Sequence, residues 1–172
     1  NAIPFLVLCG PVVPEVSREF AGVLCWSLVN EPDLPIHFMI NSPGGYAVDG
    51  FAIISVIEEL RKHGFKVNGH VFGQAASMAA IILQTCSERT MSTHDSIMLH
   101  GPSMGLTGDL RDIKAQQVFH TFATKQISSI LKQYTKLSAR EINSILSEDT
   151  HKYYDAKHAL EKGLIDYIRG EP

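Results

Sequence analysis

The sequence predicts an α/β fold in which short strands alternate with amphipathic helices. Short apolar runs end at turns rich in glycine, and the segments that follow repeat apolar residues at helical spacing. This alternation along a chain is typical of a mostly parallel sheet with crossover helices. The chain has 172 residues, of which 45% are hydrophobic, so it can form one packed core. We therefore expect a single domain over residues 1–172.

The first half of the chain predicts three strand–turn–helix units. Each predicted strand is an apolar run that ends at a turn containing glycine. Each predicted helix has one apolar face, and Asp49 and Gly64 are placed as the N-terminal cap and C-terminal stop of the second. The predicted strands, which we expect to be buried, are 5–8, 36–40 and 66–72, and the predicted helices cover 17–29, 49–64 and 77–84.

The second half predicts longer helical segments. Ser138 and Glu141 have the spacing of a capping box that opens a short helix, and Asp155 is placed to cap another helix that Gly163 ends. The long helix has apolar residues amid polar positions, and we expect one end to project towards a partner subunit. The remaining predicted elements are a strand at 92–99, a glycine-rich loop at 101–108, the long helix at 109–134 and a last strand at 164–165.

Composition excludes several classes of function. The net charge of −3 provides no basic field for nucleic acid or an anionic membrane surface. No apolar run approaches the roughly 20 residues that span a bilayer, and no signal-peptide pattern opens the sequence. The three cysteines are far apart and the eight histidines form no metal-binding motif. We expect a cytoplasmic protein with buried, reduced thiols and with neither a metal nor an organic cofactor.

Two side chains are placed for nucleophilic catalysis. Ser77 stands where a glycine-led strand end meets a helix of small residues, so its hydroxyl is expected beside unpaired backbone N–H groups. His100 ends a predicted strand, where open α/β sheets place their active groups, and a neutral imidazole there can accept the Ser77 proton. Each also has a structural explanation, as a packed helix-start serine and as a half-buried histidine bonded to backbone.

The turn Asn41-Ser-Pro-Gly-Gly45 offers backbone N–H groups with little side-chain bulk, as an oxyanion hole requires. A plain tight turn explains this sequence equally well. The glycine turn, the Ser77 segment and the His100 segment favour a catalytic interpretation because they occur together in one order along the chain.

Four segments carry a resemblance to a known family. Segments 40–45, 73–78, 96–102 and 159–166 closely resemble the ClpP family, the proteolytic subunit of the ATP-dependent Clp protease. The likeness covers nearly the whole chain in the same order. It implies a crotonase-like fold of stacked ββα units with a protruding handle helix, assembled into rings that enclose the active sites.

The resemblance assigns roles to particular residues. It implies that Ser77 is the nucleophile and His100 the general base, with the backbone N–H groups of Gly45 and Met78 as the oxyanion hole. It implies a serine endopeptidase that hydrolyses peptide bonds in unfolded proteins or short peptides through an acyl-enzyme. The substrate is expected to lie extended beside Gly45-Tyr46 and the loop at 101–108.

The third member of the implied Ser-His-Asp triad is ambiguous. Counting forward from the long helix places Asp149 at the family's catalytic aspartate, whereas counting back from the last helix places His151 there. Asp149 is preferred because a carboxylate can orient and stabilise the imidazolium. Glu148 is the fallback, and Asp155 is interpreted as a helix cap.

The resemblance also implies a homo-oligomeric ring and, as a possible partner, a Clp-type AAA+ ATPase. Family members tend to have an N-terminal extension and an arginine before the catalytic aspartate, whereas this sequence begins close to its first strand and has Glu148 at that position. ATPase docking and pairing of two rings are therefore open. The alternatives are a catalytically inactive ring subunit and, with less support, a crotonase-type acyl-CoA enzyme.

Overall fold

The structure, a computed structural model, describes residues 5–30, 35–103, 105, 107–147 and 150–170, except for the side chains at 24, 28 and 30. Helices and strands alternate through most of this part of the chain, as predicted. In order, the elements are β1 (Phe5–Cys9), α1 (Pro14–Asn30), β2 (Ile36–Ser42), α2 (Ala47–Lys62), β3 (Val67–Ala76), α3 (Met78–Gln84), β4 (Glu88–Met91), β5 (Ser96–Leu99), α4 (Leu110–Tyr134), α5 (Ala139–Ser147), β6 (Lys152–Tyr154), α6 (Ala156–Glu161) and β7 (Tyr167–Ile168).

The strands of the described residues form one mixed sheet. Its main path runs β1-β2-β3-β4-β7, and every pairing along this path is parallel. The long strand β3 pairs with β4 through its first half and with β5 through its second half, where Ala76 lies opposite Met98. The carboxyl ends of β3 and β5 therefore meet, and the residues that follow these strands lie close together.

Helices cover one face of the sheet and leave the other partly open. In β2, Ile36, Phe38 and Ile40 are buried, while the residues between them are only half-buried. In β1, Leu6 and Leu8 are buried but the alternate side chains are exposed. The prediction of a fully buried first strand is therefore wrong, because side chains alternate between two faces and the helices pack against only one.

Two predicted boundaries in the sheet differ from the structure. Only the second half of the strand predicted at 92–99 is observed, as β5, because residues 92–95 form a turn in which the Asp95 carboxylate accepts from the Ser92 N–H at 2.6 Å. The strand β4, which precedes this turn, was not predicted. The turn predicted at 73–76 is instead the end of β3, because this segment pairs with β5. The chain turns only at Ser77.

The C-terminal part contains further differences. The short strand β6 was not predicted, since three residues are too few for periodicity to reveal. The last strand is Tyr167–Ile168 rather than 164–165, because Leu164 and Ile165 are buried in the core before the strand begins.

The predicted helix caps have mixed outcomes. Asp155 accepts from the His158 N–H at the start of α6, and Ser138 and Glu141 form the reciprocal bonds of a capping box at α5, as predicted. Asp49 does not cap α2, since Tyr46 occupies the N-cap position. Asp49 instead lies in the first turn and accepts a hydrogen bond from the Ser17 hydroxyl at 3.1 Å.

The long helix α4 packs by its C-terminal half. Its buried side chains are Ala123, Ile127 and Leu131, whereas Leu110 and Val118 are 78% and 71% exposed. The N-terminal half therefore projects from the sheet, as the sequence predicted.

The thiols differ from the expectation of three buried cysteines. Cys9 and Cys25 are exposed, and only Cys86 is buried, where burial raises the pKa of its thiol to about 12. Within the described ranges, no helix is both long enough and apolar enough to cross a membrane. The same residues contain no cluster of three or more potential metal ligands.

Candidate active site

Ser77 occupies a sharp turn between β3 and α3. Its φ of 54° and ψ of −125° make it the one non-glycine residue with positive φ among those the structure describes. Such a conformation is strained for a residue with a Cβ. Backbone bonds hold it, since the Ser77 N–H donates to the Met98 carbonyl at 2.8 Å and the Ser77 carbonyl accepts from Ala80 at 3.0 Å. The strained turn presents the hydroxyl at the end of the sheet.

His100 follows β5 and meets Ser77 directly. The distance between His100 Nε2 and Ser77 Oγ is 2.7 Å. When the imidazole is neutral and Nε2 is unprotonated, the serine hydroxyl donates to it. This is the hydrogen bond through which a base can activate a serine nucleophile.

The surroundings of His100 lower the pKa of its imidazole. Burial lowers the pKa of His100, and the charge of His151 lowers it further, while the Gly101 backbone acts in the opposite direction. A lowered pKa leaves the imidazole unprotonated at neutral pH and able to accept a proton.

The glycine turn after β2 approaches Ser77 closely. Gly44 has a φ of +88°, and a Cβ there would lie 2.7 Å from both the Ala76 carbonyl oxygen and the Ser77 Cβ. A larger residue would therefore be strained in its backbone and would collide with the serine turn. Glycine at this position lets two backbone segments meet at Ser77.

Local backbone geometry leaves the N–H groups of Gly45 and Met78 outside the hydrogen bonds with Val12 and within α3. Val12 donates to the Gly44 carbonyl and accepts from Tyr46, both at 2.9 Å. Since successive residues of an extended segment point their N–H groups to opposite sides, the Gly45 N–H faces away from Val12. Met78 begins α3, so its N–H has no acceptor within that helix.

A cleft of about 650 Å³ opens at Ser77 and His100. Gly45 and Met78 also line it, so the predicted nucleophile, base and oxyanion groups share one cleft. Much of the remaining wall is apolar, and four of its apolar side chains come from α2, α3 and α4. They are Val48, Ile81, Phe119 and Ile127.

Comparison with known proteins determines the family. The family model for Clp protease matches residues 5–171. The chain belongs to the Clp protease family. The predicted family and its α/β fold are thereby confirmed, and they fit the mostly parallel sheet with helices described above.

Among the relatives of this Clp protease family member are chlamydial subunits. The chain is 33% identical to proteolytic subunit 2 of the ATP-dependent Clp protease of Chlamydia trachomatis, over 95% of this chain and 79% of that protein. Subunit 2 of Chlamydia muridarum is 32% identical with the same coverage of both chains. Subunit 1 of Chlamydia felis is 31% identical, again over 95% and 79%.

The candidates for the third triad position have different outcomes. Asp149 and Glu148 lie outside the described residues, so the role predicted for Asp149 stays a prediction. Asp155 is the exposed cap of α6, as interpreted from the sequence. His151 lies beside His100, with ring centroids 5.0 Å apart and an interplanar angle of 77°.

His120 is a contact of the site that sequence reasoning missed. It projects from α4, and its Nε2–H donates to the Pro102 carbonyl at 2.8 Å. This bond ties the start of the loop at 101–108 to the long helix, next to His100. No motif marks His120, because the two residues are 18 positions apart and only the packing of α4 joins them.

Proposed function

We propose that this member of the Clp protease family is a serine endopeptidase. The observation that carries the proposal is the 2.7 Å hydrogen bond between Ser77 Oγ and His100 Nε2 at the strained turn. In this proposal Ser77 is the nucleophile, His100 is the general base, and the Gly45 and Met78 N–H groups form the oxyanion hole.

The proposed reaction has two stages. His100 Nε2 takes the Ser77 proton while Oγ bonds to the scissile carbonyl carbon, and the Gly45 and Met78 N–H groups stabilise the oxyanion. His100 then gives the proton to the leaving amine, and the C–N bond breaks to form an acyl-enzyme. Water attacks the acyl group as His100 accepts its proton, which returns to Ser77 when the carboxylic acid leaves.

We assign the third triad role to Asp149. A carboxylate that accepts from His100 Nδ1–H fixes the tautomer in which Nε2 is free, and it stabilises the imidazolium formed during attack. The chemistry of the residue and its place just before β6 support this assignment.

The substrate is proposed to be an unfolded protein or short peptide. It would lie extended beside Gly45-Tyr46 and the loop at 101–108, with side chains against the apolar wall of the cleft. The names of the relatives, proteolytic subunits of an ATP-dependent Clp protease, support assembly into a homo-oligomeric ring and cooperation with a Clp-type ATPase. We further propose a single peptidase domain over residues 1–172, located in the cytoplasm.

The test is fluorophosphonate labelling read by intact mass and peptide mapping. We expect labelling of wild type at Ser77 alone, and loss of both labelling and peptide turnover in Ser77→Ala, by roughly 10⁴- to 10⁶-fold. The matched control is Ser55→Ala, which removes an exposed hydroxyl on α2 that bonds to the Phe51 carbonyl.

Two results would count against the proposal. Turnover retained by folded Ser77→Ala would exclude Ser77 as the nucleophile. Failure of wild type to react, in a sample whose assembly is confirmed by light scattering, would favour the inactive ring subunit.

A further inference from the structure

The short strand β6 places His151 opposite the proposed base. In the antiparallel pair of β5 and β6, Ile97 lies opposite Tyr154, Met98 opposite Tyr153 and Leu99 opposite Lys152. One further step in this register pairs His100 with His151. Directly opposed residues in an antiparallel pair point their side chains to the same side of the sheet.

The two rings are in contact with a defined geometry. Their centroids are 5.0 Å apart and their planes are inclined by 77°, which is an edge-to-face arrangement. Ser77 holds His100 at Nε2, so the ring is fixed by a hydrogen bond at one edge and by packing against His151. Both histidines also border a cavity of about 360 Å³ that extends towards α4 and α5.

We propose that His151 is a positioning residue, which packs edge-to-face on His100 and holds its ring in the orientation that directs Nε2 to Ser77. This inference rests on the proposed function, in which His100 is the base. It gives His151 a task distinct from that of the acid, since His151 acts on the ring by packing and Asp149 by accepting a hydrogen bond from Nδ1–H.

The same contact has an electrostatic consequence. Among the residues that the structure describes, the groups that face His100 include the Ser77 hydroxyl at the end of β3, the Gly101 backbone and the imidazole of His151 just before β6. The His120 imidazole from α4 borders the same cavity. The proposed acid Asp149 precedes β6. A protonated His151 repels a second positive charge and lowers the pKa of His100, whereas a carboxylate would raise it.

His151 and Asp149 are expected to shift the pKa of His100 in opposite directions, so substitutions can distinguish their effects. His151→Phe keeps an aromatic ring but removes the charge, so the midpoint of His100 protonation should move to higher pH. Asp149→Asn removes a negative charge, so the midpoint should move to lower pH. His151→Ala removes both the ring and the charge, so in this variant the His100 ring should also lose its fixed orientation.

The first measurement is the pH dependence of carbethoxylation of His100 by diethyl pyrocarbonate, quantified by peptide mapping of the full chain. The reagent modifies neutral imidazole, so its rate reports the protonation midpoint without any catalysis. We expect a higher midpoint in His151→Phe than in wild type. The matched control is His94→Phe, since His94 is exposed in the turn between β4 and β5, and it should leave the midpoint unchanged.

The second measurement is the rate of fluorophosphonate labelling of Ser77 across the same pH range. At high pH, where His100 is neutral in every variant, we expect His151→Phe to label within about threefold of wild type and His151→Ala roughly ten- to a hundredfold more slowly. Circular dichroism and light scattering identify any variant that misfolds. If His151→Ala misfolds, His151→Gln, which also removes the ring, replaces it.

Unchanged midpoints and labelling rates in folded His151 variants would overturn the proposal and leave the proposed function intact. A wild-type protein that does not label would contradict the proposed function instead. In that case the carbethoxylation midpoint still decides whether His151 acts on His100: a shift supports the contact and no shift overturns it.

Discussion

At the scale of single residues, the role proposed for Ser77 depends on its backbone conformation as much as on its hydroxyl. Ser77 has a φ of 54°, and the sharp turn places Oγ at the end of the sheet, 2.7 Å from His100 Nε2. The strain of that conformation is of order 1–3 kcal/mol and must be offset by surrounding contacts. The hydrogen bond to Met98 and the close approach of Gly44 provide such contacts.

The proposed acid can be tested by a substitution that conserves shape. Asp149→Asn should lower the turnover number by roughly 10⁴-fold, because an amide can stabilise the wrong tautomer of His100 and cannot stabilise the imidazolium. Stability and oligomer size should be unchanged. The measurement is peptide hydrolysis at saturating substrate.

The control for this substitution is Asp155→Asn. Asp155 is an exposed carboxylate that caps α6, so its replacement should leave turnover near the wild-type value. Full activity of Asp149→Asn would contradict the assignment and direct attention to Glu148.

At the scale of elements, α5 is held by its N-terminal capping box and by one ion pair. Glu141 accepts from the Ser138 N–H at 2.8 Å and from Lys162 Nζ at 2.5 Å. The hydrogen bond from Lys162, followed by those from Ser138, lowers the pKa of Glu141 to about 2. Because the carboxylate remains 37% exposed, solvent screens the pair and its contribution to stability is modest.

Glu141→Gln should therefore lower the free energy of unfolding by about 0.5–1 kcal/mol at neutral pH. A carboxyl whose pKa is depressed on folding stabilises the protein above its unfolded pKa, and this stabilisation is lost as pH falls through the folded pKa. The difference from wild type should thus shrink between pH 4.5 and about 2 and vanish below that. Urea unfolding at several pH values measures it.

Glu161→Gln is the matched control, since Glu161 is exposed on α6. The difference in the free energy of unfolding between Glu161→Gln and wild type should not grow with pH. A pH-independent effect of Glu141→Gln would show that packing, and not the charge, determines its contribution.

At the scale of the molecule, Arg89 joins segments that are distant in sequence. Its guanidinium donates to Gln84 of α3 at 2.6 Å and to the carbonyls of Tyr134 and Gly163, both at 2.9 Å. It also forms an ion pair with Asp166 at 2.7 Å. Arg89 is only 8% exposed, so every one of these bonds is needed to compensate for the loss of hydration.

Arg89→Ala should destabilise the protein by about 3–5 kcal/mol, because several buried acceptors lose their donor at once. Arg140→Ala, which removes an exposed arginine from α5, should change stability by less than about 0.5 kcal/mol. Chemical denaturation followed by circular dichroism compares the two. Equal stability of the two variants would mean that Arg89 is not essential for joining these segments.

Much of this fold follows from local patterns in the sequence. The apolar runs of β1 and β2, the helical face of α2 and the capping box of α5 are short-range features, and each of these elements exists in the structure. Elements determined by long-range pairing were missed: β6 has only three residues and exists because it pairs with β5. The open face of β1 was missed because no local pattern reveals which sheet face a distant helix covers.

The sequence by itself indicated the candidate residues for the chemistry and the family they resemble, because a serine at a glycine-led turn and a histidine at a strand end have recognisable neighbours. Only the tertiary structure decided how these residues meet. The parallel pairing of β3 with β5 brings Ser77 to His100, and the antiparallel pairing of β5 with β6 brings His151 to the same ring. Such pairings join segments separated by more than twenty residues, and their registers depend on the packing of the whole sheet.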